Sequence, residues 1–181
     1  GLSGGSAPHR FYRLTIKPEI GASVGKFSLA EIQLFGHSDF AINITSNGGY
    51  LTGEFAGISG EELEKVADNQ YKKFCQTNTK SFWIQYESPQ QVMLDKYTLT
   101  TAFTSSRMPR TWELLGSNDG ENWDLLDLQR NKNLFDAPYA THTFAIGQDA
   151  IYSDWGSYAD SLYKTLVQQY WRNYEYDNNK N

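Results

Sequence analysis

The chain has a single cysteine, Cys75, among its 181 residues, so no internal disulfide can form and the fold must rest on its apolar core. It is also short of positive charge: 16 Lys and Arg stand against 21 Asp and Glu, a formal net charge of −5. Nucleic acid and anionic lipid both need a basic footprint, so neither is the expected partner. No apolar run approaches membrane-spanning length, and no membrane insertion is expected. Catalytic signatures are missing too. His9, His37 and His142 stand in no nucleophile motif, and there is no H-E-x-x-H, no phosphate loop and no G-x-S-x-G. Acidic residues are numerous enough for a glycosidic acid–base pair, but nothing in their spacing selects one. The chain is expected to be non-catalytic.

What is abundant is aromatic. Twelve Tyr, 10 Phe and 5 Trp make up 15% of the sequence. Aromatics favour strands, and they also serve as flat platforms for sugar rings. Along the chain, residues 11–17 set Tyr12, Leu14 and Ile16 against Phe11, Arg13 and Thr15, the alternation of a half-buried strand. Residues 29–35 alternate again, with Ala30, Ile32 and Leu34 on one face and Glu31 and Gln33 on the other. Further strands are expected at 41–45, 82–86, 92–102 and 141–146. Asn43-Ile44-Thr45 is a glycosylation sequon, but it falls in one of these strands. Ser59-Gly-Glu-Glu62 has capping-box spacing and predicts a short helix through Lys65. Cys75 reads as a half-buried small side chain. Regular strands joined by polar, Gly-containing loops predict an antiparallel β-sandwich rather than βαβ units.

The most informative stretch runs from Arg110 to Trp123. Trp112 and Leu114 alternate with Glu113 and Leu115, and Asn118-Asp119-Gly120 supplies turn chemistry. Asn and Asp tolerate left-handed backbone and bond their own main chain, and Gly takes positive φ without steric conflict. This predicts a β-hairpin, with Trp112 and Trp123 assigned to core or hairpin by their alternation. The wording resembles the P-x-x-W-x-L-x-G-S-N-D-G-x-x-W signature of discoidin-like domains, the coagulation factor type C and family 32 carbohydrate-binding-module group. The resemblance implies a galactose-binding-like jelly-roll sandwich that presents loops to sugars or other surface ligands.

The order of the pieces is unusual for that group. Arg10-Phe-Tyr-Arg-Leu-Thr-Ile16 and Leu29-Ala-Glu-Ile-Gln-Leu-Phe-Gly36 resemble words that come last in the family. Either the domain is circularly permuted and these residues close the same sandwich, or they are the stump of a preceding repeat. A stump would leave apolar strands unpaired, which favours permutation.

The resemblance also implies a site. Family members often hold a structural calcium with the Asp of an "A-x-D-G-N" loop and the Glu of "A-E-I", which maps to Asp68 in Ala67-Asp68-Asn69 and to Glu31 in Ala30-Glu31-Ile32. Asn69 stands where the family has Gly, and Lys72 where it has a Thr, so an ammonium could replace the cation. Sugar would be met by loops at one end, for which the candidates are Phe103 and Arg107 in the 101–110 loop, Tyr71 beside Asp68, and Phe27.

Residues 1–8 read as a linker and 9–147 as the sandwich. From 148 to 181 the pattern changes. Trp155, Tyr158, Leu162, Leu166 and Tyr170 recur at helical spacing, predicting a C-terminal α-helix that packs on the sandwich or begins another domain. Residues 158–171 are weakly similar to the first helix of glycoside hydrolase family 76. The expected function is thus a carbohydrate-binding module tethered to a glycoside hydrolase, in an extracellular, cell-surface or periplasmic setting. The alternative is a protein-interaction or spacer domain.

Overall fold

A computed structural model of the chain describes residues 7–17, 26–36, 44–46, 48–70, 75–77 and 81–146. Tyr71, Lys72, the side chain of Cys75 and the expected C-terminal helix lie outside the described residues. The elements are β1 (His9–Lys17), β2 (Phe27–Leu29), β3 (Glu31–Gly36), β4 (Tyr50–Gly53), β5 (Gly57–Ile58), β6 (Glu61–Glu62), β7 (Cys75–Thr77), β8 (Phe82–Val92), β9 (Leu94–Thr100), β10 (Thr111–Ser117), β11 (Asp124–Gln129) and β12 (Thr141–Ala145).

Two antiparallel sheets form the body. The larger has strand order β11-β10-β1-β8-β4 and the smaller β12-β9-β3. Alternation in β1 turns Tyr12, Leu14 and Ile16 inward, where Leu14 lies opposite Leu114 on one side and Ile84 on the other. The smaller sheet answers with Ile32, Leu34, Tyr97 and Leu99, so both inner faces close over one core, a β-sandwich. Trp112 is fully buried, edge-on to Phe144, which stacks on Tyr97. Burying a side chain of this size stabilises the fold by roughly 2 to 3 kcal/mol.

β1 sits between β10 and β8 at the centre of the larger sheet, and β3 pairs with β9. The N-terminal strands therefore belong to this sandwich and are not the remnant of another. Removing them would expose both inner edges of the split sheet.

Local chemistry redirects three of the expected elements. Ser59 does not start a helix. Ser59 and Gly60 turn the small β5–β6 hairpin, Gly60 has φ of 82°, and the Glu62 carboxylate accepts the Gly60 N–H at 2.9 Å. The helical turn that follows, Leu63–Ala67, is 3-10 and is preceded by Glu62. The long strand expected over 92–102 is divided, because Met93 separates β8 from β9 as the chain passes between sheets. Ile44–Ser46 is a 3-10 turn rather than strand, with the Tyr86 hydroxyl bonding the carbonyls of Ile44 and Gly48. Trp123, expected in core or hairpin, is in the hairpin: it immediately precedes β11 and is half-buried on the outer face of the larger sheet.

Candidate functional site

Strand directions bring most of the sequence-selected residues to one end of the sandwich. β9 ends at Thr100, opposite Glu31 of β3 and Thr141 of β12, and the 101–110 loop crosses from there to the start of β10. Thr101 fixes this crossing. Its hydroxyl donates to the Ala137 carbonyl and accepts the Ala140 N–H, each at 2.9 Å, and its own N–H bonds Ala140 O at 2.9 Å. Lys132 N–H to Arg110 O, 2.9 Å, ties the far side of the loop to the 130–140 segment.

On this frame Phe103 projects into solvent, with 64% of its surface exposed. Arg107 ends the 3-10 turn Ser105–Arg107, is half-buried, and its turn packs against β2. Phe27 does not join them. Its ring is buried, edge-on to Phe82 at 4.7 Å, because β2 pairs with β7 and turns that side chain into the core. Tyr71 lies outside the described residues.

Glu31 and Asp68 do converge. Glu31 is fully buried, although alternation put it on a polar face. Its Oε2 accepts the Asn69 N–H at 3.2 Å, while its Oε1 meets no donor and a protonated Glu31 would bond the neighbouring Asp68 carboxylate. Burial pushes its pKa up to about 8. The Asn69 N–H opposes this, and the neighbouring Asp68 carboxylate adds to it. Asp68 caps the 3-10 turn and accepts the Gln70 N–H at 2.9 Å. Asn69 adopts the left-handed φ of 58° that glycine would supply, a conformation Asn tolerates. Gln33 Nε2 holds the Asn69 side chain at 3.3 Å, and Thr98 holds Gln33. A buried carboxylate with one orphaned oxygen beside a second carboxylate calls for a proton or a cation. Among the described residues no three His, Cys, Asp or Glu side chains gather, so a cation here would draw its other oxygens from main chain and water, as calcium does.

A second constellation escaped the sequence reading. Arg13 of β1 places its guanidinium 4.1 Å from the Trp83 ring and 4.4 Å from that of Trp123. Trp83 lies toward β8 and Trp123 toward β11, so the arginine stands between two indoles on the outer face of the larger sheet. Its Nε and one terminal nitrogen both donate to Gln85 Oε1, at 2.9 and 2.7 Å. Burial lowers the Arg13 pKa while Glu54 raises it. Alternation had marked Arg13 as outward. Only strand order could show which aromatics flank it.

Set against known proteins, the chain matches no family model, no curated protein and no solved structure.

Proposed function

We propose that the chain is a non-catalytic carbohydrate-binding module of discoidin-like, jelly-roll architecture, and that it meets glycan with the loop end of its sandwich. The observation that carries this reading is Phe103: a large ring exposed on a loop whose backbone is pinned by Thr101 and by the buried Pro109. A rigidly held aromatic loses little conformational freedom when a sugar stacks on it. Arg107 on the same loop supplies donors for hydroxyl or carboxylate groups. A shallow site of this kind gives weak affinity, on the order of 0.1 to 1 mM.

Glu31 and Asp68 would hold a structural calcium beneath this end. The ion would neutralise two carboxylates and fix the 68–70 turn. The module would serve an attached glycoside hydrolase, in an extracellular, cell-surface or periplasmic setting, by keeping it at its polymer. Screening the intact chain on a glycan array, with calcium and then with chelator, tests the reading.

The second reading is a protein-interaction or spacer domain without a sugar site. The Trp83–Arg13–Trp123 stack favours it, because it places aromatic surface on a sheet face rather than at the loop end. A folded chain that binds no glycan in either condition would favour this reading over the first.

A further inference from the structure

The outer face of the larger sheet is mixed, with Thr15, Lys17, Gln85 and Glu87 toward β1 and β8 and its apolar side chains gathered toward β10 and β11. Opposite the core, its outer face carries Leu115 of β10, Leu125 of β11 and the Trp83–Arg13–Trp123 stack. Leu128 belongs to this face as well, since it pairs with Glu113, whose neighbours Trp112 and Leu114 point inward. Yet Leu128 is only 5% exposed, and it is not part of the inter-sheet core. The charged side chains named on this face are already engaged: Arg10 lies 3.6 Å from Glu87, Lys17 lies 3.9 Å from Glu113, and Arg13 is held by Gln85 and the two indoles. An ionic partner would gain little there, and an apolar one would gain the leucines and indoles.

The end of β12 indicates where such a partner comes from. Phe144 packs on Trp112 of β10, and Tyr97 of the neighbouring β9 bonds Asp127 of β11, so β12 lies toward the β11 edge. β12 ends at Ala145, and Ile146 N–H bonds Asp95 O at the start of β9. That is the end of the sandwich at which His9 pairs with Val92, just before β9 begins, and meets Asp124, and where Trp123 leads into β11. The chain thus leaves beside the edge of the apolar face. Residues 147–151 can span at most about 17 Å when extended, against roughly 10 Å between stacked sheets. The sequence beyond them repeats Trp155, Tyr158, Leu162, Leu166 and Tyr170 along one side of a helical period.

We propose that the outer face of the β11-β10-β1-β8-β4 sheet is the docking site for the chain's own segment 152–171, which covers Leu115, Leu125, Leu128 and Trp123 with that apolar stripe. The loop end is left free, so this docking is independent of the carbohydrate reading, whereas it takes up the aromatic sheet face that favours the second reading.

Leucine-methyl NMR of the full chain with a neutral gadolinium chelate tests the proposal. In the unaltered protein the methyls of Leu115, Leu125 and Leu128 should be shielded, and shielding should not change on dilution. In the double variant Leu162→Asp, Leu166→Asp their paramagnetic relaxation should rise severalfold, while the inward Leu14 and Leu114 stay shielded and report an intact core. If that variant fails to fold, Leu125→Lys gives the reciprocal reading: the Trp155 indole signal should lose shielding and that of Trp112 should not. Equal exposure of the outer methyls in both proteins would overturn the proposal. So would shielding that survives the double variant, or shielding lost on dilution, which would identify a second copy as the cover.

Discussion

The indole N–H of Trp112 donates to the Tyr97 hydroxyl at 2.8 Å, and that hydroxyl donates onward to Asp127 at 2.5 Å. Gln129 Nε2 reaches the same carboxylate oxygen at 3.0 Å. All four side chains are buried, and the relay ties β9 of one sheet to β10 and β11 of the other. Burial and the Asp127 charge hold the Tyr97 pKa well above its ordinary value, so the hydroxyl stays a donor. Tyr97→Phe removes that donor from a buried carboxylate and should cost about 2 to 3 kcal/mol in urea unfolding. Combined with Trp112→Phe, the losses should fall short of additive, because both variants break one relay. Full additivity would show that the two bonds act independently.

Glu31 makes stability depend on pH. Its folded-state pKa is raised from 4.5 to about 8, so between these values the native state holds a proton that the unfolded state has released. Stability should therefore fall as pH rises from about 4.5 to 8, by an order of a few kcal/mol without a cation. Thermal melts in chelator check this. Glu31→Gln should flatten the profile. Added calcium should restore stability at the alkaline end of the wild-type chain and leave the variant unmoved.

The two phenylalanines separate packing from recognition. Phe27→Ala empties a core site against Phe82 and should lower stability by about 3 to 5 kcal/mol. Phe103→Ala should change the free energy of unfolding by no more than about 0.5 kcal/mol. A large loss from Phe103→Ala would mean the ring is packed rather than presented.

Arg13→Ala should cost roughly 1 to 2 kcal/mol, because it removes two cation–π contacts and both bonds to Gln85. Arg13→Lys should recover only part of that, since an ammonium cannot stack flat on two rings. Equal stability of Lys and wild type would mean that charge alone matters there.

Much of the fold was legible because its strands follow a two-residue period and its main hairpin carries its own turn chemistry. Ser117 and Asp119 bond the turn amides from residue 119 to 122, and Gly120 takes φ of 74°. What stayed hidden depends on pairing between distant strands. Alternation marked Glu31 as polar-facing, yet the covering turn that carries Asp68 and Asn69 buries it. Trp123 has a strand's spacing but lies on the outer face, because a register shift between Leu114 and Leu115 accompanies the β10–β11 pairing. The capping spacing at Ser59 was satisfied by a hairpin, since Gly60 offers a turn that a two-strand ribbon can use. The convergence of Asp68 with Glu31 was reachable through resemblance alone. Nothing in their spacing, 31 and 68, states it.

The most direct measurement is a glycan-array screen of the intact chain beside Phe103→Ala, each with calcium and with chelator. The account predicts binding to a defined class of glycan by the wild-type chain, weakening in chelator, and loss of that binding in a Phe103→Ala protein whose melting temperature is unchanged. Binding that survives Phe103→Ala, or no binding by a wild-type chain shown to be folded, would contradict it.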